Sequence, residues 1–318
     1  MVTTCEKADD QEGEKIILPH RIVDAHQHFW DTRLGRNPWL CEIPQIPFRY
    51  GDYAAIRRPY LPVDYYTDSA PINIAASVYI ETEWCKDDPV GEMDWIANLK
   101  LNERLPTVAV AQAWLDRGDR AEVLESHAAR SFVRSVRHKP RSNLAPGGGP
   151  GGMTEADWRE GFALLKSLNL RFDLQTPWWH LGEARKLADA FPSTQIILNH
   201  TGLPGDRCEE NISKWYSAMR DLAGAPNVTV KISGLGQPAK AWTIESNRNV
   251  VLRTIDLFGV DRCMFASNFP VDSLCGTFKE IFLGFSKIVA DFSAQEREAL
   301  FAENAMRTYD IKCAHTNL

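Results

Sequence analysis

The sequence predicts a single-domain α/β fold, a (β/α)8 TIM barrel, and three observations predict it. Eight short β-rich runs recur along the chain, with helical patterns or polar stretches between them. Several of the runs are nearly continuously apolar, as parallel strands covered on both faces must be. The 318 residues would hold two average domains, but they also suit one barrel, and the eightfold alternation favours the barrel. A doubly wound sheet is the alternative topology. Its dinucleotide fingerprint is missing, because the glycine run APGGGPGGM (145–153) is not a G-x-G-x-x-G.

In order, residues 1–20 are polar and acidic up to Lys15 and read as a flexible tail. The barrel is expected over 21–312, with a short C-terminal tail at 313–318. The strand candidates are RIVDAHQ (21–27), INIAASVYIE (72–81), TVAVAQAW (107–114) and FVRSVRH (132–138). They continue with RFDLQ (171–175), TQIILNH (194–200), NVTVKIS (227–233) and RCMFAS (262–267). Thr154 with Asp157 reads as an N-terminal cap before Trp158, Phe162 and Leu165, which recur at helical spacing. Further helices are expected at 180–191, stopped by Pro192, and at 209–223 and 245–258. Ser293 and Glu296 form a capping box ahead of an amphipathic run to Tyr309. Two long connections, 29–62 and 139–153, follow the first and fourth strands. In a barrel both lie at the carboxyl-end face, where active sites are built. The glycine run inside the second reads as a flexible loop, with a phosphate cradle as its alternative.

Composition narrows the class. Hydrophobic residues make up 44% and charged residues 25%, values of a soluble globular protein rather than a disordered, collagen-like or membrane-spanning one. The net charge of −6 argues against a general nucleic-acid binder. Seven scattered cysteines without a C-x-x-C point to neither a zinc ribbon nor a disulfide framework. No apolar stretch of signal-peptide length follows a basic start, so a cytoplasmic protein is expected. The expected partner is a small-molecule substrate, with no nucleic acid and no membrane; a homo-oligomer is compatible with the chain.

The chemistry-bearing residues cluster at strand ends. In Asp24-Ala25-His26-Gln27-His28, the two histidines are two apart and share a strand face. Such a pair can hold a divalent metal or polarise a carbonyl; the bland reading is two polar residues at a strand end. His200 closes the sixth strand, where the alternative is a hydrogen-bonded core histidine. Asn268 follows the eighth and would otherwise be a turn residue. Arg137 and His138 close the fourth strand. The arginine fork suits a carboxylate, but a structural ion pair with a nearby acid is equally open. Glu81 and Glu83 end the second strand, and Lys231 and Ser233 the seventh. Trp30, Trp39, Trp178 and Trp179 follow strand ends and can wall a pocket. Arg137, Lys231 and the loop arginines Arg49, Arg57 and Arg58 can give a local positive field despite the acidic total.

Together these segments resemble the amidohydrolase superfamily. The likeness is to its amidohydrolase-related TIM-barrel group, which contains 2-pyrone-4,6-dicarboxylate lactonase and sugar-acid lactonases such as L-fuconolactonase. The resemblance runs from about Arg21 to Tyr309 and rests on DAHQHFWD, SVRH, LNHTGLP, VKISGL, FASNFPVD and ENAMRTY in this order. It implies a hydrolase of the lactonase type, with His26, His28, His200, Asn268 and Asp272 catalytic. Glu81, Arg137, His138, Lys231 and Trp30 would bind substrate. Two departures accompany it. The eighth strand usually supplies a water-activating aspartate, and Asn268 stands there, so Asp272 or Glu81 would have to be the base. Metal-dependent relatives add a fifth-strand histidine, whereas Gln175 or Thr176 occupies that position and His180 comes later. The implied cofactor is therefore none, or one divalent metal, zinc foremost, on His26, His28 and His200. Two alternatives to a lactonase remain: a zinc-dependent amidohydrolase or decarboxylase, and a non-catalytic small-molecule-binding barrel.

Overall fold

The computed structural model describes residues 18–70, 72–142 and 145–312. The tail read at 1–20 falls mostly, and that at 313–318 wholly, outside the described residues. Eight parallel strands form one sheet in sequential order: β1 (Ile22–Gln27), β2 (Ile74–Ile80), β3 (Val108–Gln112), β4 (Val133–Arg137), β5 (Arg171–Leu174), β6 (Ile196–Leu198), β7 (Val228–Ile232) and β8 (Cys263–Phe265). The ring is completed by the chain just after β8. Asn268 N–H donates to the His26 carbonyl (2.8 Å) and His28 N–H to the Phe269 carbonyl (2.8 Å). The fold is thus the (β/α)8 barrel.

Each strand falls within its sequence expectation and is shorter by one to four residues. The trimmed residues are mostly polar ones that leave the ladder to enter the loops. Helices Leu181–Ala190, Glu209–Ala223 and Ile244–Phe258 stand where helical spacing placed them. The Ser293 box forms: its hydroxyl accepts from Glu296 N–H (3.2 Å) and its own N–H donates to the Glu296 carboxylate (2.8 Å). The expected cap at Thr154 does not form. That helix is Ala156–Ser167, and Glu155 occupies the cap position without a side-chain bond. Helices Pro62–Ser69, Gly91–Leu99, Arg120–Ala128 and Phe278–Ile288 fill the remaining slots. The last carries its own signal, a capping box of Thr277 with Glu280.

Specific contacts hold the described parts of the two long loops. Trp30 and Tyr60 exchange backbone hydrogen bonds (3.0 and 2.9 Å), which closes the stem of 29–62. Trp39, Phe48 and Tyr53 then pack ring on ring, with centroids 4.9–5.8 Å apart. The end of the glycine run is not an open phosphate cradle. N–H groups of Gly151, Gly152 and Met153 converge on the carboxylate of Glu183 (2.6, 3.1 and 3.1 Å). The anion its backbone could have bound is supplied by the chain itself.

Candidate active site

Local irregularity at the end of β1 shapes the site. Asp24 sits opposite Ser77 and Gln27 opposite Tyr79, so three residues of β1 advance against two of β2. Asp24, buried, accepts from Ser267 N–H (2.8 Å), Ser267 Oγ–H (2.6 Å) and the Tyr65 hydroxyl (2.9 Å). It thereby ties β1 to the segment that carries Asn268. Burial raises its carboxyl pKa, and those hydrogen bonds oppose the rise.

The three sequence-marked histidines meet. The ring of His26 lies 5.0 Å from that of His28 and 4.5 Å from that of His200. His28 Nδ1 is 2.8 Å from the Ile80 carbonyl, which can only accept. Nδ1 must therefore carry the proton, leaving Nε2 as an acceptor. His200 Nδ1 is 2.9 Å from Ser233 Oγ. Both ring nitrogens of His26 are buried without a partner. Burial, then the charge of Arg137, pushes His28 down to about 3. His26 is lowered by burial and by His200 and Lys231, and His200 by burial and by Arg49 and Arg137. All three are neutral at physiological pH.

A cavity opens over this cluster. His28, His200 and Asn268 form part of its floor, and Trp30, Trp39, Phe48 and Val271 part of its walls. Charged groups are Arg49, Arg137 and Lys139 against Glu81 and Glu83. Arg137 is committed: Nε donates to Glu81 Oε1 (2.5 Å), Nη2 to the Glu81 carbonyl (2.7 Å) and Nη1 to Gln175 Oε1 (2.9 Å). Lys139 pairs with Glu83.

Other marked residues stand behind this surface. Asp272 does not line the cavity. Its Oδ1 accepts from Asn268 Nδ2 (2.6 Å) and the Tyr50 hydroxyl (2.9 Å), and burial raises its pKa to about 6. It positions Asn268 and the loop bearing Tyr50. Lys231, fully buried, donates to Asp173 Oδ1 (2.7 Å) beneath the ring of Tyr309, whose hydroxyl also reaches Asp173. Burial lowers this lysine to about 8. His138 accepts the Leu115 N–H (3.1 Å) and packs near Trp158, away from the cavity. Trp178 and Trp179 also lie outside the lining. Sequence reasoning missed Asp173, Tyr50 and Gly234. The first was signalled by a lone acid within an apolar strand, and the last by a glycine beside the strand-end Ser233.

For a divalent metal the residues fit in kind but not in placement. Three neutral imidazoles are suitable donors, and the unpartnered nitrogens of His26 want a partner. Yet among the described residues no group of three or more His, Cys, Asp or Glu is arranged to hold an ion, and Asn268 stands where a carboxylate would complete the set.

Residues 23–311 match the family model described as Amidohydrolase. The chain belongs to the amidohydrolase family. An uncharacterised protein of Sinorhizobium fredii, y4mH, is 38% identical over 91% of this chain and 98% of its own length. The L-fucono-1,5-lactonase of Burkholderia multivorans is 25% identical over 91% of this chain and 96% of its own. In fold, this amidohydrolase is similar to a Burkholderia multivorans amidohydrolase solved with bound zinc. The TM-score is 0.77 and the identity 23%, over 92% of this chain and 99% of the other. Its membership makes it a hydrolase of that superfamily, whose members often bind a divalent metal. No described helix is long and apolar enough to cross a membrane.

Proposed function

We propose that this hydrolase opens a lactone of a small organic acid by water attack, with His28 as the proton acceptor. The observation that carries the reading is the bond from His28 Nδ1–H to the Ile80 carbonyl, which leaves Nε2, beside the Asn268 side chain on the cavity floor, as the acceptor. In the proposed reaction the water oxygen bonds to the lactone carbonyl carbon, and a water proton passes to His28 Nε2. The tetrahedral oxyanion is stabilised by the His200 ring on the cavity floor. Collapse breaks the ring C–O bond, and the leaving oxygen takes the proton back from His28. The product is a hydroxy acid. Burial and the charge of Arg137 keep His28 unprotonated in the resting site.

A panel of lactones followed by acid release tests this. Turnover is expected for at least one member, and His28→Gln should lower its kcat by about 10²–10⁴-fold. No member above background, or an undiminished His28→Gln rate, would overturn it. The lactonase likeness of the Burkholderia relative supports the lactone over other esters. Metal-assisted hydrolysis is the second reading, favoured by the unpartnered nitrogens of His26. Elemental analysis of purified protein and chelator dialysis separate the two. The first reading expects full activity after chelation, the second its loss and its return with zinc.

A further inference from the structure

Three cations and two carboxylates line the cavity, and only one of the five lacks an opposite charge within ion-pair distance. Arg137 is held by Glu81, and Lys139 by Glu83. Arg49 has no carboxylate within 4.0 Å among the described residues. Its one hydrogen bond among the described residues is a long one, Nη1 to the Gly234 carbonyl at 3.3 Å. Its guanidinium lies 4.6 Å from the centre of the Tyr50 ring. Asp272, the nearby acid, is already capped by neutral donors, Tyr50 and Asn268, on Oδ1. The other loop arginines are spent elsewhere. Arg57 donates to the Leu40 and Glu42 carbonyls, and Arg58 pairs with Asp64.

Gly234 shows how near Arg49 comes to the reacting groups. A Cβ added there would lie 2.5 Å from His200 Nδ1 and 2.8 Å from Arg49 Nη2. The guanidinium and the His200 ring therefore share one bare glycine. Apolar walls of Trp30, Trp39 and Phe48 around a positive group strengthen its field over the value in water.

We propose that Arg49, carried into the cavity by the loop after β1, is the specificity-determining residue, and that it binds a carboxylate. The substrate class is then a lactone bearing an acidic group on its ring, rather than a neutral sugar lactone. This deepens the lactone-hydrolase reading and rests on it for the word lactone, but the anion site itself does not.

The test uses benzoate and benzamide, matched in shape and differing in charge, by isothermal titration calorimetry on the intact protein. Wild type is expected to bind benzoate at least about tenfold more tightly than benzamide. Arg49→Gln should erase that preference and Arg49→Lys keep part of it, with unfolding temperatures unchanged. Equal affinities in wild type, no benzoate binding, or a preference surviving Arg49→Gln would overturn the proposal. Steady-state kinetics keep the two readings apart. A retained benzoate preference with no lactone turned over sinks hydrolysis and leaves the anion site. Turnover of neutral lactones with KM unmoved by Arg49→Gln sinks the anion site and leaves hydrolysis. For a carboxylated lactone, Arg49→Gln should raise KM at least tenfold and change kcat much less.

Discussion

Replacing Arg137 with methionine tests whether this arginine is structure or substrate contact. Its side chain is 3% exposed and that of Glu81 2%. Three guanidinium nitrogens are bonded, at 2.5, 2.7 and 2.9 Å, two of them to Glu81. Removing it strands a buried carboxylate, a carbonyl and the Gln175 amide oxygen. Breaking a buried pair from one side costs about 3–5 kcal/mol, mostly from the charge left behind. At roughly 2–4 °C per kcal/mol for a large domain, the unfolding temperature should fall by about 10 °C. The assay is urea unfolding of Arg137→Met, Glu81→Gln and the double variant, closed as a thermodynamic cycle. The double variant should recover more than half of the loss. A cost below about 1 kcal/mol for Arg137→Met, or no coupling in the cycle, would refute the argument. Benzoate affinity completes the test: the double variant should bind it nearly as wild type does. A loss as large as that in Arg49→Gln would make Arg137 the anion contact instead.

Two further predictions follow from the site. Burial raises the pKa of Asp272 from 3.8 to about 6. The folded state therefore holds this proton more tightly than the unfolded one. The associated stability is fully present below about pH 4 and is lost as pH rises through 6, on the order of 3 kcal/mol. The buried histidines act oppositely: with His28 lowered to about 3, its contribution is present above about pH 6.5 and lost on acidification. Asp272→Asn should flatten only the first component, read as a changed difference from wild type in urea unfolding between pH 4 and 7; parallel curves would count against it. Gly234→Ala places a Cβ 2.5 Å from His200 Nδ1 at a φ of +60°. It should cost about 1–2 kcal/mol of stability and at least tenfold in kcat, measured on the best lactone of the panel. Wild-type kinetics in this variant would mean that His200 has no role in the reaction.

The barrel was legible because β/α alternation is a global pattern that survives errors at individual boundaries. Each strand is found, and what is missed is local: the cap at Thr154 fails, and the helix at Phe278–Ile288 went unassigned despite its capping box. The histidine cluster was legible too, since strand ends of a barrel converge by topology. Partnership was not. Glu81 and Arg137 lie 56 residues apart, Lys231 and Asp173 58, Tyr50 and Asp272 222. Nothing in a local window says which buried charge meets which, so Lys231 read as a substrate contact when it neutralises Asp173. The glycine run misled for the same reason, its anion being Glu183, some thirty residues downstream.

The two arginines show what partner accounting adds to motif reading. The motif singles out Arg137, but a guanidinium already bonded to a carboxylate has little to gain from a second one. Three of its five N–H donors are engaged, and a ligand would compete with a buried partner for its charge. Arg49 sits in a loop that carries no motif, yet among the described residues it is the cavity cation without an ion pair, Asp272 feeling its charge from beyond contact distance. After burial, its charge does most to lower His200. A carboxylate bound at Arg49 would cancel part of that push and raise the proton affinity of His200 beside the reacting carbonyl. Recognition is then coupled to the site's electrostatics: the anion that satisfies the arginine also makes the neighbouring imidazole more basic. The link has a measurable sign. The pKa of His200, followed by the NMR shift of its ring, should rise when benzoate binds to wild type and stay put when benzoate is added to Arg49→Gln. A ring shift of equal size in both proteins would separate recognition from catalysis and leave Arg49 with binding alone.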